Sequence, residues 1–176
     1  MSGKSKKISQ NLNLRDRVVV GIGTCGGIGY VGAAPGTNSS ALGVLIYPII
    51  FRNMGWLTFV VSYSAVVLLA IWILSQCERI FHEKDPVQAS LDEFIAIPLC
   101  FWPADIALRI FGIRAMPLWL WLIAGFLIFR VFDIVKPFGI KKLERMPRGY
   151  GIVADDLVAA FATAICLFAI GVIFAI

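Results

Sequence analysis

Charge is scarce in this sequence, and that scarcity argues against an ordinary soluble protein. Only 15% of the 176 residues are Asp, Glu, Lys or Arg, whereas soluble domains are about one quarter charged. No charged residue occurs within 53–77, 115–129 or 157–176. The first and last of these runs are long enough to cross a bilayer core, which needs about 20 apolar residues. A soluble helical protein would need a polar face on each run, so the sequence predicts an integral membrane protein.

Histidine and closely spaced cysteines are also scarce. His82 is the only histidine, which excludes a mechanism that uses two histidines of one chain, and its charged neighbours at 83–85 are typical of a solvated loop. The four cysteines form neither a CxxC pair nor a zinc-binding spacing, so no disulfide framework or zinc site is expected. Most of them lie in apolar stretches, where cysteine behaves as a small hydrophobic residue. They are Cys25, Cys77, Cys100 and Cys166.

The apolar runs and the breaks between them predict an all-α membrane protein, a compact bundle of about four to five transmembrane helices. The predicted segments are 37–54, 56–77, 91–111, 117–135 and 152–176, with a polar loop at 78–90. Pro98 and Pro103 are expected to kink the third segment. Residues 1–17 are polar and basic and do not resemble a cleavable signal, so we interpret them as a flexible cytoplasmic leader. Residues 18–176 then form a single membrane-embedded domain.

The distribution of basic residues predicts the orientation of the bundle. If the N-terminus lies inside and the chain crosses five times, only Arg52, Arg109 and Arg114 fall outside. Because Lys and Arg accumulate on cytoplasmic loops, this orientation is favoured over its inverse. The bases that then lie inside are Lys4, Lys6, Lys7, Arg15, Arg17, Arg79, Lys84, Lys136, Lys141, Lys142, Arg145 and Arg148.

Five carboxylates lie at the edges of the apolar runs. An ionised carboxylate is costly in hydrocarbon, so such residues are usually paired, metal-bound or functional. The predicted orientation places all five at the cytoplasmic face, together with Thr37, and this convergence suggests a divalent-cation site. Helix capping is an alternative for the two adjacent pairs, because acids favour helix N-termini. The five are Asp92, Glu93, Asp133, Asp155 and Asp156.

Basic residues flank one of these acids. Arg130, Asp133 and Lys136 are about one helical turn apart and are expected to share a face, and Pro137 ends that helix. An acid between two bases is typical of a site that holds an anion and a cation together. The alternative is a salt bridge from Arg130 to Asp133 that only stabilises packing. A further i, i+4 pair, Asp105 with Arg109, is expected to be structural.

The glycine-rich stretch 21–36 allows two interpretations. It formally matches GxGxxG, but no βαβ unit surrounds it, so a dinucleotide site is not expected. The spacings Gly23 to Gly27 and Gly32 to Gly36 are typical of close helix packing. Alternatively, the segment 34–40 forms a loop whose amides and hydroxyls hold a phosphate at the start of a helix.

Four of these segments together resemble the phosphatidylglycerophosphatase A family, whose motifs occur in the same order. The resemblance covers about 21–160. Departures from the family pattern at 39–40, 139 and 159–160 affect packing and loop shape more than chemistry, and no acid is lost. The matching segments are Ala34-Pro35-Gly36-Thr37, Asp92-Glu93-Phe94, the run from Phe129 to Pro137, and the run from Gly149 to Asp156.

The resemblance implies a Mg²⁺-dependent lipid phosphatase that converts phosphatidylglycerophosphate to phosphatidylglycerol. The enzyme would act on a membrane phospholipid at the cytoplasmic face of a bacterial-type inner (plasma) membrane, without a nucleic-acid partner; a homo-oligomer stays open. The expected metal ligands are Asp92, Glu93, Asp133, Asp155 and Asp156. The expected catalytic residues are Asp92, Asp133, Asp156 and Glu93, with Glu93 orienting or deprotonating the attacking water. The expected substrate-binding residues are Gly36, Thr37, Ser40, Arg130 and Lys136.

Two other functions fit parts of the sequence. A small ion or proton-coupled transporter would also carry intramembrane acids, but these would lie at mid-bilayer depth along a path rather than at helix ends. A catalytically inactive relative would share the fold, and only the retained acids argue against it.

Overall fold

The computed structural model describes residues 12–113, 116–137, 143, 146–147 and 149–174, and all regular secondary structure in these ranges is helical. The all-α prediction is therefore confirmed. The described ranges contain six α-helices, and a short 3₁₀ helix at Ile28–Tyr30 follows the first of them. The α-helices are α1 (Leu14–Gly23), α2 (Pro35–Ile50), α3 (Trp56–Phe81), α4 (Leu91–Ile110), α5 (Leu118–Val135) and α6 (Gly149–Ile173).

Three of the helices are long and apolar enough to cross a membrane, namely α3, α5 and α6. Helix α2 has 16 residues, which is short for a membrane span. Helix α4 has 20 residues but carries acids in its first turn and Arg109 in its last turn. All five predicted segments are therefore helices of one bundle, and three of them meet the length and composition of a span.

Helix α4 lies at the centre of the bundle. It packs mainly against α6 and α2, and most of its side chains are buried. Pro98 and Pro103 lie inside this helix, which continues through both of them. The ring of Phe101 packs against Gly125 of α5, and a Cβ at Gly125 would overlap this ring. The absence of a side chain thus lets α5 approach the central helix closely.

A polar cluster ties α2 to α4 at the end of α4 that carries Arg109. Tyr47 donates a hydrogen bond to the buried carboxylate of Asp105, and Arg52 forms an ion pair with the same carboxylate at 3.8 Å. Arg109 donates instead to the backbone carbonyl of Arg52 at 2.9 Å. The structural role predicted for Asp105 stands, but its predicted ion-pair partner was wrong because Arg52, in the turn after α2, lies closer.

Several predicted boundaries differ from the structure; α2 ends at Ile50 rather than at 54, and α6 begins at Gly149 rather than at 152. Helix α3 continues to Phe81 and ends at His82, whose φ of 52° is left-handed, so 78–81 is not part of the predicted loop. Helix α1 begins at Leu14, inside the predicted leader, and Asn13 caps it by accepting a hydrogen bond from the Asp16 amide at 2.8 Å. The rest of the leader, 1–11, lies outside the described residues. So do Arg114, Lys141, Lys142, Arg145 and Arg148, on which the predicted orientation partly depends.

The glycine-rich stretch is not one continuous helix, because it runs from the end of α1 through turns and the 3₁₀ helix into the start of α2. Helix α1 ends at Gly23, which packs against the side chain of Cys77. Gly27 and Gly32 lie beyond it with φ of 93° and 71°, in the left-handed region. The predicted packing pairs were therefore wrong, because their members do not share one helix face. All four cysteines are free thiols, as predicted.

Candidate active site

Four helix ends meet around one cavity. The N-terminal ends of α2, α4 and α6 face the C-terminal end of α5, and the cavity between them has a volume of about 390 Å³. Its wall includes all five of the acids singled out in the sequence: Asp92, Glu93, Asp133, Asp155 and Asp156. The acids come from different helices and from positions up to 64 residues apart in the sequence (92 to 156), so only the fold brings them together.

Three of the acids form the tightest group. One carboxylate oxygen each from Asp92, Glu93 and Asp156 lies within 4.8 Å of the other two. Asp92 and Asp156 are only 7% and 3% exposed. One buried oxygen on each of the three has no hydrogen-bond partner among the described residues. We call these three residues the acidic cluster.

The acidic cluster has the chemistry of a divalent-cation site. Three carboxylates at this separation repel one another, and burial makes their ionised forms costly. A bound cation would compensate this charge and satisfy the unpartnered oxygens. Mg²⁺ and Ca²⁺ are hard cations that prefer carboxylate oxygens as ligands.

The other two acids contact basic residues. Arg130 donates to the Asp133 carboxylate at 2.7 Å, within α5. Asp155 forms an ion pair with Lys136, which joins α6 to the end of α5. Lys136 has a φ of 45° and follows the last residue of α5. Its side chain contacts α6. Lys136 was expected to share a helix face with Asp133, but it lies outside the helix.

The N-terminus of α2 reaches the cavity through Gly36. A Cβ at this position would overlap the Glu93 carboxylate, so the absence of a side chain permits the close approach. Thr37 and Ser40, which were predicted to bind substrate, are not among the described residues that line the cavity, and neither is Arg130. The Ser40 hydroxyl donates to the backbone carbonyl of Gly36 at 2.8 Å.

The predicted phosphate loop is the first part of a helix. Residues 35–40 belong to α2, and Pro35 occupies its first turn. The side-chain amide of Asn38 donates a hydrogen bond to the backbone carbonyl of Val31 at 2.6 Å. The hydroxyls of Ser39 and Ser90 form a hydrogen bond with each other at 2.5 Å. These polar side chains join α2 to its surroundings.

Sequence reasoning missed the connection between α3 and α4. Lys84, Asp85, Pro86 and Val87 all line the cavity. Asp85 has a φ of 52°, and its amide donates to the Glu78 carboxylate at 3.3 Å. An available signal was the position of this charged run, which ends seven residues before the Asp92-Glu93 pair.

Cys25 lies near the acidic cluster but is not a reactive thiol. Burial raises the pKa of its thiol to about 11, and the thiol donates to the carbonyl of Ser90 at 3.5 Å. A protonated thiol is a poor nucleophile, because the thiolate is the reactive form. Cysteine-based chemistry is thus not supported at this residue.

Comparison with known proteins identifies the family. The sequence profile of the family described as "Phosphatidylglycerophosphatase A" matches residues 21–171. A phosphatidylglycerophosphatase A of Haemophilus influenzae is 31% identical over 168 residues, which cover 94% of this chain and 93% of the relative. The Escherichia coli phosphatidylglycerophosphatase A is 28% identical over 148 residues, or 82% and 78% of the two chains.

A third relative carries a different description. A Bacteroides thetaiotaomicron protein, provisionally named a phosphatidylinositol-3-phosphatase, is 32% identical over 145 residues, or 78% of this chain and 84% of the relative. No solved structure matches the chain. The profile covers the cavity and every helix that lines it, and on this match the chain belongs to the phosphatidylglycerophosphatase A family.

Proposed function

We propose that this protein is a Mg²⁺-dependent phosphatase that hydrolyses phosphatidylglycerophosphate to phosphatidylglycerol and inorganic phosphate at the cytoplasmic membrane face. The observation that carries the proposal is the acidic cluster, whose three residues each have a buried, unpartnered oxygen and line a cavity that is also lined by two lysines. Membership of the family supports the same reaction, since two of the relatives are named for it. The apolar helices beside the cavity would keep the acyl chains of the substrate in the bilayer.

Asp92, Glu93 and Asp156 are the residues we assign to Mg²⁺. When bound there, the ion would neutralise charge on the phosphate oxygens and promote ionisation of water. Asp133 and Asp155 were also expected to be ligands. Because each contacts a base, we assign Asp155 instead to holding Lys136 in position at the cavity, and Asp133 to an ion pair with Arg130, which does not itself line the cavity.

The basic residues are suited to an anionic head group. Lys84, in the connection between α3 and α4, and Lys136, just past the end of α5, both line the cavity. Hydrolysis of phosphate monoesters is very slow without a catalyst, and the barrier falls mainly through positioning and charge neutralisation. Glu93, at the cavity and beside Gly36, is the residue we assign to orienting the attacking water.

The position of the acids favours a phosphatase over a transporter. The five acids first singled out all line one cavity, where the helix ends meet. A transport pathway needs ionisable groups along its length. The remaining buried acid among the described residues, Asp105, is held by Tyr47 and Arg52 in a separate cluster.

Phosphate release from purified protein in detergent tests the proposed function. The protein should release phosphate from phosphatidylglycerophosphate with Mg²⁺ present, and EDTA should abolish release until Mg²⁺ is restored. Phosphatidylinositol 3-phosphate serves as the comparison lipid, because one relative is named for that substrate. Folded protein that releases phosphate from neither lipid would contradict the proposal, and faster release from the inositol lipid would change its substrate.

Replacing Gly36 with Ala should lower kcat by about 10²-fold without unfolding the protein. The new methyl group would displace the Glu93 carboxylate, which is the flexible end of a side chain, and displacements of about 1 Å at a reacting centre can have this effect. Steady-state kinetics and the unfolding midpoint in detergent measure the two quantities. Gly55→Ala is the matched control, because no atom lies within 4 Å of its added Cβ and its φ is −65°. If Gly36→Ala has the wild-type kcat, the position of the Glu93 carboxylate beside Gly36 is not needed for turnover.

A further inference from the structure

We propose that an apolar groove between α5 and α6 binds one acyl chain of the phospholipid substrate while its head group occupies the cavity. The groove has a volume of about 530 Å³, within the range of ligand pockets. Four side chains of α5 and three of α6 line it, and all seven are apolar or cysteine. The proposal rests on the proposed function, because it assigns a second part of the same substrate.

The groove and the cavity follow the same seam of the fold. Phe132 lines the groove and directly precedes Asp133, which lines the cavity. Lys136 lies four residues after Phe132, just past the end of α5, and its ion pair with Asp155 joins the same two helices. A phospholipid whose phosphate reaches Lys136 would thus have the groove within reach of its acyl chains.

The shape of the groove depends on small side chains of α6. Ala169 and Cys166 form one wall, opposite Val131 and Leu127 of α5. Val131 and Leu127 are 59% and 56% exposed, so they face the surroundings of the bundle. Both helices meet the length and composition of membrane spans, so these surroundings are hydrocarbon in the proposed orientation. An acyl chain is the apolar ligand that this environment supplies next to a basic head-group site.

A second copy of the chain is the competing occupant. It would also bury an apolar helix face. Phe132 of the groove is adjacent in sequence to Asp133 of the cavity, and Lys136 lies just past the end of the same helix; this proximity favours the lipid, whose acyl chain and charged head group would use both sites.

Filling the groove should impair the enzyme only on substrates with acyl chains. Ala169→Phe is expected to raise KM for phosphatidylglycerophosphate about tenfold, the scale of losing a few methylene contacts. The same variant should hydrolyse the deacylated head group, glycerophosphoglycerophosphate, at the wild-type kcat/KM. Ala65→Phe is the matched control, because Ala65 is exposed on α3, which contributes no residue to the groove. Equal effects of Ala169→Phe on both substrates, or none on either, would overturn the proposal.

Photolabelling tests the groove independently of turnover. A phosphatidylglycerophosphate analogue with a diazirine in one acyl chain should label peptides containing 127–132 and 166–170, and Ala169→Phe should remove this labelling. Uniform labelling of all exposed apolar helices would overturn the acyl-chain site. Disulfide cross-linking of two chains through Cys166 that competes with labelling would assign the groove to a second copy instead. Because labelling requires binding but not turnover, it tests whether the groove binds an acyl chain even if the protein hydrolyses a different lipid.

Discussion

Replacing Asp156 with Asn is expected to lower kcat by about 10³-fold and to leave the protein folded. Asp156 belongs to the acidic cluster, is only 3% exposed, and lies close to Glu93, Asp133 and Asp155. The substitution keeps the size of the side chain but removes one charge that would hold the metal, and the loss of a single preorganised electrostatic group has this magnitude. Phosphate release at saturating Mg²⁺ measures the effect.

Asp156→Asn should lower activity but should not lower the stability of the metal-free protein. Removing one charge from a group of mutually repelling, buried carboxylates should maintain or raise the unfolding midpoint of the metal-free protein. Mg²⁺ should raise the midpoint of the wild type, because a ligand that binds only the folded state stabilises it, and should raise that of Asp156→Asn much less. These two measurements separate loss of metal binding from loss of folding.

Asp105→Asn provides the matched control. Asp105 is also a buried acid within a helix, but it accepts a hydrogen bond from Tyr47 and pairs with Arg52 in a cluster apart from the cavity. Its substitution should reduce stability and leave the activity of the folded protein unchanged. Normal activity of Asp156→Asn at saturating Mg²⁺ would remove Asp156 from the site.

The helices were predictable because the membrane constrains the sequence so strongly. Runs without charge can only be spans or a buried core, and the charged breaks between them mark helix ends to within a few residues. The acids at 92–93, 133 and 155–156 were recognisable for the same reason, since an unpaired acid at the edge of such a run is costly. Their placement around one cavity required only that the helix ends meet.

Contacts between helices could not be predicted in this way. The spacing rule that aligned Lys136 with Asp133 holds only inside a helix, and α5 ends at Val135. The same rule paired Asp105 with Arg109, whereas the fold places Arg52 nearer. Residues 83–85 entered the sequence argument only as the charged neighbours of His82 in a solvated loop; the spacing of these residues does not indicate a cavity, and only the closeness of the run to Asp92 in the sequence does.

Replacing Lys136 with Met is expected to lower the free energy of unfolding by about 3–5 kcal/mol. The substitution removes the ion-pair partner of Asp155, which is only 5% exposed, and breaking one side of a buried pair has this cost. Replacing both residues, as Lys136→Met with Asp155→Asn, should recover most of the stability, because a neutral pair of similar size leaves no charge without this partner. Unfolding in detergent, followed for the wild type, both single variants and the double variant, measures the coupling.

The activity of the double variant then decides what Lys136 does in the reaction. If Lys136 binds the phosphate of the head group, the double variant should regain stability while KM stays at least about tenfold above the wild-type value, because the charge-assisted contact is gone. Lys136→Arg should keep much of this contact, since the charge is retained, although the geometry of a guanidinium differs from that of an ammonium. Recovery of wild-type KM together with stability would show that Lys136 only joins α5 to α6, and the head group would then depend on Lys84, the other lysine among the described residues that line the cavity.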